Sequence, residues 1–344
     1  MYAWLRAVIT TATTRAIYGP MNPYNDQVVT DAFWQFERGI ISLYFNAFPL
    51  ITARSTIAAR DKVVRAFEKY YSAQGPEYAS DFAKNRFHIQ MNHGIPLEDI
   101  ARYEVAGTLA IINTIPAAFW VIILLHKHSD LLEDVRKEID CSIRTTLNNG
   151  HTIKTINTTA LKETCPLLLS FYQEVLRHCS EYVSVREVLE DTWVDQWLLK
   201  RGAIVHMSSK AIHYDVAQWG PEAAAFRPRR FLPEERARRP RDAYFRAFGG
   251  GKGLCPGRHF ATDEILALVA GLVTRLDLQP VGGSWKLPTT TRTDSVIAMM
   301  VPDDDVEVVV RTRPGYEYIE WVIESRRSDE ILAMVDEDII HEES

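Results

Sequence analysis

Residues 248–257 read FGGGKGLCPG. Phe248 opens a loop with glycines at 249, 250, 251 and 253; Cys255 sits between Leu254 and Pro256, and Gly257 follows. An apolar helical pattern begins at once, through Phe260, Ile265, Leu266, Leu268 and Val269. The spacing presents a cysteine at the start of a helix, on a backbone that must fold back on itself. Glycines there permit positive φ and let the backbone approach a flat cofactor without a Cβ clash. Thiolate is the metal-binding form of cysteine, and the partial positive charge at a helix N-terminus stabilises it. Free N–H groups in the turn can point at the sulfur and tune a metal–thiolate bond. A buried cysteine beside a glycine-rich turn is the plain alternative. A phosphate cradle is another, but the Gly-Lys-Ser/Thr triplet it needs is absent.

Two further stretches agree with the first. SFYQEVLRH (170–178) carries Glu174 and Arg177 three residues apart, on one helix face. FRPRRF (226–231) brings Arg230. In this order and at these separations, the motifs resemble those of the cytochrome P450 family. FGGGKGLCPG resembles its haem-binding signature, with Phe248, Gly251, Cys255 and Gly257 at the matching places. Glu174 and Arg177 stand in the E-x-x-R spacing of its K helix, and FRPRRF resembles its PERF-like segment. The resemblance covers essentially the whole chain and implies a mainly α fold with small β-sheets. It implies haem b (iron protoporphyrin IX) held by the Cys255 thiolate, a ligand that favours O–O cleavage. It also implies that Glu174, Arg177 and Arg230 form a buried structural triad beneath the haem. Arg186, in SVREVLED (184–191), lies in a β-branched stretch that reads as a strand. It resembles the arginine that pairs with a haem propionate.

Residues 105–125, VAGTLAIINTIPAAFWVIILL, contain no charge and are long enough to span a bilayer at ~1.5 Å per residue. Asn113, Thr114 and Pro116 lie at the centre, where polar groups and a kink suit a functional helix through a large core. The run resembles the family's I helix, so a soluble-core helix is expected. That resemblance makes Thr114 and Asn113 the candidate catalytic residues. Ile111 replaces the usual glycine and Asn113 the usual acid. An amide positions water but cannot cycle through a carboxylic acid, so proton delivery must differ. NTIPAAFW resembles the branch containing sterol 7α-hydroxylases, oxysterol hydroxylases, prostacyclin synthase and many fungal relatives. One chemistry in that branch is a rearrangement that consumes no oxygen. Gly253 is a further departure, because the family usually has a propionate-pairing arginine or histidine there.

The implied reaction is insertion of one oxygen atom from O2 into a lipophilic small molecule, in fungal secondary metabolism by branch resemblance. Electrons would come from NADPH-cytochrome P450 reductase, with the chain at the cytosolic face of the endoplasmic reticulum by family resemblance or, without an anchor, in the cytoplasm. The alternatives are a haem-thiolate isomerase or dehydratase that needs no O2, and a non-catalytic remnant that cannot hold haem. The remnant is suggested by Gly253 and by the start of the chain, whose first helical pattern resembles the middle of the fold. Residues 1–344 are therefore expected to be a single, partial P450 domain with its N-terminal part and membrane anchor missing. The acidic segment 326–344 is expected to fray.

Composition is that of a globular enzyme, 47% hydrophobic with a net charge of −6, and gives no support for nucleic-acid binding. Cys141, Cys165, Cys179 and Cys255 have no disulfide-framework spacing, and no Cys-x-x-Cys pair suggests zinc. Helical patterns cover roughly 3–17, 27–45, 56–73, 98–126, 129–148 and 158–180. Residues 192–208 read as a hairpin turning at Lys200–Gly202, and 294–311 as a strand. The stretch 220–245 has little periodicity.

Overall fold

The run from Tyr2 to Tyr18 spaces Leu5, Ile9, Thr13 and Ile17 four residues apart, a stripe along one helix face. In the computed structural model this segment is helix α1 (Tyr2–Tyr18), with that stripe buried. The structure describes residues 1–44, 48–111, 113–148, 150–238, 240, 242–293 and 298–325. It divides into two compact units, Ala3–Ile115 and a second made of Met1–Tyr2 with Pro116 onward.

The first unit continues through α2 (Gln27–Tyr44), α3 (Pro49–Thr52), α4 (Arg54–Ser72), α5 (Asp81–Asn92) and α6 (Leu97–Ile111). Helix α4 packs against both α2 and α6. Edge-to-face rings fill its core, with Tyr18–Phe67 centroids at 5.1 Å and Tyr24–Phe33 at 5.4 Å, an arrangement favoured by the aromatic quadrupole. Glu104 is buried there and accepts from Tyr18 Oη at 2.7 Å, Tyr71 Oη at 3.0 Å and Arg86 at 2.7 Å. A carboxylate can be buried because these three donors replace its water. Helix α5 was not foreseen: it buries no residue, so it shows no apolar stripe, and Ser80 caps it by accepting from the Ala83 amide at 3.3 Å.

The expected helix over 98–126 is two helices, α6 and α7 (Thr114–Lys127), with Asn113 in a turn between them. Ile112 lies outside the described residues. Pro116 falls in the first turn of α7, where amides have no intrahelical acceptor, so it begins a helix instead of kinking one. Every residue from Thr114 to His126 is buried. The segment 97–127 is long and apolar enough to cross a membrane by length and composition, yet 81% of its apolar window is inside the protein.

In the second unit α8 (Ser129–Ser142) ends before the helix expected to reach 148. Thr145 and Thr146 are β-branched and Gly150 takes φ 82°, so the chain forms β1 (Arg144–Asn148) and β2 (His151–Asn157). Strand β2 also pairs in parallel with β9 (Glu320–Glu324). The helix expected over 158–180 is divided at Cys165, into α9 (Thr158–Thr164) and α10 (Pro166–Cys179), because Pro166 suits the first helical position.

Strand β3 (Val183–Glu187) pairs antiparallel with β6 (Ile204–Ser208), while β4 (Thr192–Val194) pairs with β5 (Trp197–Leu199). This corrects the expected hairpin: the tight turn is at Asp195, with φ 49°, and β6 goes back to β3. Short helices α11 (Ser209–His213) and α12 (Val216–Trp219) follow, then α13 (Arg258–Arg275), β7 (Leu276–Pro280) and β8 (Val308–Thr312). Of the strand expected at 294–311, residues 294–297 lie outside the described residues. Met299 bridges Ser180, and the ladder with β7 begins only at Val308. The tail 326–344 also lies outside them. The protein is mainly helical with small sheets.

Candidate functional site

The apolar face of α10 carries Leu167, Leu168, Phe171 and Val175 into the second unit, and Glu174 and Arg177 travel inward with it. Both are fully buried. Arg177 grips Glu174 with two bonds, Nε to Oε2 at 2.8 Å and Nη2 to Oε1 at 2.9 Å. Arg230 reaches the same carboxylate through Nε, at 3.2 and 3.0 Å. The Arg227 amide adds a bond to Oε1 at 2.8 Å. The guanidinium donors left over are spent on backbone carbonyls: Arg177 on His213, Ala223 and Ala225, and Arg230 on Glu222 and Ala225. The otherwise irregular 220–232 stretch is thereby fastened to α10. Trp219 lies beneath, 5.2 Å from the Arg177 guanidinium.

His213 belongs to this cluster and was missed in the sequence, where AIHYD has no distinguishing pattern. It is fully buried, and burial beside the Arg177 charge pushes its imidazole down to about 3. His126, which donates to the Ile122 carbonyl at 2.8 Å, is pushed by burial down to about 4. Both bind protons more readily when unfolded, so their contribution to stability is complete above about 6.5 and is lost as pH falls toward 4 and 3. Unfolding followed against pH is expected to show a loss of about 2 kcal/mol per histidine by about pH 5. His126→Phe should flatten that slope.

The cysteine loop closes on itself. The Cys255 amide donates to the Phe248 carbonyl at 2.9 Å, and the Leu254 amide to the Gly251 carbonyl at 3.0 Å. Gly249 takes φ 81° and a Cβ there would meet the Gly253 carbonyl at 3.0 Å, so this glycine is needed for the fold-back. Residues Gly251–Gly253 form one 3-10 turn, Phe248 is half-buried, and Gly257 precedes the first residue of α13. Cys255 is half-buried and forms no disulfide, whereas Cys165 and Cys179 are buried. A Cβ on Gly257 would stand 3.9 Å from Cys255 Sγ, which places the sulfur at the N-terminal end of α13.

Strand β3 delivers Arg186 to this loop. A Cβ at position 253 would come within 2.8 Å of the Arg186 guanidinium, so the arginine occupies the space that a larger residue 253 would fill. Its Nη1 also donates to the Val185 carbonyl at 2.8 Å. The loop thus has a cation beside it although residue 253 supplies none. Gly249→Ala is expected to cost more than about 1 kcal/mol through positive-φ strain, whereas Gly253→Ala moves only a flexible side-chain end and stays within about 0.5 kcal/mol. Urea unfolding of the two variants checks this contrast.

Asn113 and Thr114 lie where α6 gives way to α7. Asn113 is exposed, while Thr114 is buried and its Oγ1 has no hydrogen-bond partner among the described residues. Among the described residues, no group of three or more His, Cys, Asp or Glu could hold a metal ion. A single thiol does not need one. Its donor set fits a metal that is already coordinated in a flat macrocycle: one free sulfur at a helix start, a glycine-walled approach, and an arginine for a carboxylate.

The family model described as Cytochrome P450 matches residues 106–307. The chain is 33% identical over 331 residues to "Cytochrome P450 monooxygenase nodJ" of Hypoxylon pulicicidum, covering 93% of this chain and 64% of that protein. It is 32% identical over 340 residues, with the same coverages, to a "Cytochrome P450 monooxygenase" of Gibberella zeae. A "25-hydroxycholesterol 7-alpha-hydroxylase" of Rattus norvegicus is 32% identical over 181 residues, covering 49% of this chain and 44% of that one. The chain therefore spans 64% of the length of the two fungal relatives. Among solved structures, "Retinoic acid bound cyanobacterial CYP120A1" superposes with a TM-score of 0.69 at 22% identity, over 91% of this chain and 69% of that one, and bears on the fold.

Proposed function

The chain belongs to the cytochrome P450 family, and from that premise we propose that it works as a haem-thiolate monooxygenase on a lipophilic small molecule. The observation that carries this reading is the Cys255 thiol, free of disulfide and set at the start of α13 by a loop that closes on Phe248. Haem bound there would supply reductive activation of O2, with one oxygen atom inserted into the substrate and the other leaving as water. Cys255 would hold the haem iron through its thiolate, and Phe248, Gly251 and Gly257 would shape the approach to it. Arg186 would receive a haem carboxylate, a charge-assisted pairing that its fork geometry suits. Glu174, Arg177 and Arg230 hold the segment beneath.

Thr114 is assigned to holding a proton near the reacting oxygen. Its buried Oγ1, without a partner among the described residues, supports this, since such a group calls for a ligand or water. Asn113 orders water and cannot itself act as the acid. An NADPH-dependent reductase at the cytosolic surface of the endoplasmic reticulum would supply the electrons. The fungal monooxygenases among its relatives favour a substrate from secondary metabolism.

Asn113 also favours a second reading, an isomerase or dehydratase that turns over an already oxygenated substrate without reductase or O2. The reduced-CO difference spectrum of the purified chain tests both at their common root. A thiolate-type band supports the haem assignment, and its absence after haem reconstitution overturns it in favour of a remnant that holds no haem. Dependence of turnover on O2 and reductase then separates the two chemistries.

A further inference from the structure

We propose that His213 is a positioning residue that transmits the fixed geometry of the Glu174–Arg177–Arg230 cluster to the Cys255 loop. Both of its ring nitrogens are engaged by backbone. Nδ1 stands 2.9 Å from the Arg177 carbonyl, and Nε2 accepts the Arg246 amide at 2.8 Å. An amide can only donate and a carbonyl can only accept, so these contacts determine the tautomer: the proton is on Nδ1 and Nε2 is the acceptor. Arg177 in turn donates to the His213 carbonyl at 2.7 Å, which makes the α10–α11 contact reciprocal. The ring is stacked on Phe245, 5.7 Å centroid to centroid and 24° from parallel.

From Arg246 a short hydrogen-bonded path leads to the thiol. The Arg246 carbonyl accepts the Gly249 amide at 3.1 Å, in the turn that contains Phe248. The Phe248 carbonyl accepts the amide of Cys255 itself at 2.9 Å. The His213 side chain touches both the end of α10 and the first residues of this turn. It has the chemistry of a spacer, with a rigid plane, a donor on one edge and an acceptor on the other. Its role lies in where it holds Phe248 and Cys255, not in contact with substrate. For its spectral readout alone, the proposal rests on the reading of Cys255 as haem ligand.

Two variants divide the two contacts. Gln at 213 can place an acceptor where Nε2 stands, and Asn can place a donor where Nδ1 stands. The first measurement is hydrogen exchange of the Arg246 amide in the unmodified full chain. Protection is expected, and exchange at the rate of an open loop amide would overturn the proposal without any variant being made. The second compares His213→Asn with His213→Gln. Exchange at Arg246 is expected to rise about tenfold in His213→Asn, the equivalent of ~1.4 kcal/mol, and much less in His213→Gln. The third is the share of ferrous-CO complex in the thiolate form. It should fall in His213→Asn and recover in His213→Gln. A general packing role would lower both variants alike, and that result rejects a positioning role. If the unmodified chain shows no thiolate form, the haem reading fails while the exchange measurements still decide the role of His213.

Discussion

Cys255→Ser is expected to remove the thiolate-type band of the ferrous-CO complex completely while leaving the fold nearly unchanged. The two halves of that result have separate causes. Serine is close in size, and the loop is closed by main-chain groups of residue 255: its amide to Phe248 at 2.9 Å, and its carbonyl to the Arg258 side chain at 3.1 Å. Neither bond involves sulfur, so unfolding free energy should move by less than about 1 kcal/mol. The chemistry is a different matter. A thiol gives up its proton near neutrality when a metal is offered, whereas a serine hydroxyl does not, and the soft sulfur donor that marks this ligation is gone. The other cysteines are poor substitutes. Burial raises the thiols of Cys165 and Cys179 above their ordinary range, and Cys141 is exposed on α8. A thiolate band that survived in Cys255→Ser, at unchanged melting temperature, would move the ligand elsewhere and sink the assignment.

How much of this could be read from the sequence depended on whether the relevant signal was local. The cysteine loop was legible because glycine at φ 81°, proline and the start of an apolar helix stand within a few residues of each other. The Glu174–Arg177 pair was legible because three residues is helix spacing. Helix α7 was legible as apolar, but its separation from α6 was not, since Pro116 reads equally as a kink or as a first-turn residue. The 192–208 hairpin was misread for a related reason. Two strands and a glycine turn suggest pairing within the stretch, while β6 takes its partner β3 from before it, and pairing across distance leaves no local mark. His213 is the clearest case. Its partners, Arg177 and Arg246, are 36 and 33 residues away, and both contacts are to backbone. A backbone partner has no identity in a sequence, so no motif search would find this residue.

Glu174→Ala and Arg177→Ala are each expected to abolish a soluble folded chain, whereas Arg230→Ala should fold with a reduced melting temperature. The order follows from what each deletion leaves behind. Without Glu174, the Arg177 and Arg230 guanidiniums remain buried close to one another with no anion between them, which combines like-charge repulsion with lost hydrogen bonds. Without Arg177, the carboxylate keeps Arg230 and the Arg227 amide, but the carbonyls of His213 and Ala223 lose a buried donor. Breaking a buried pair from one side costs about 3–5 kcal/mol, and each orphaned buried group adds roughly 1–3 kcal/mol. Such a sum reaches the total stability of about 5–15 kcal/mol available to a folded protein. Removing Arg230 is milder, because the two-bond grip of Arg177 on Glu174 remains and residue 230 lies nearer solvent. Arg177→Lys is expected to behave like the alanine variant, since one ammonium cannot reach the carboxylate and three carbonyls from a single point. Soluble yield, followed by urea unfolding of whatever folds, ranks the set. Glu174→Ala combined with Arg230→Ala should give more soluble chain than Glu174→Ala alone, because the second deletion removes a charge that the first had stranded.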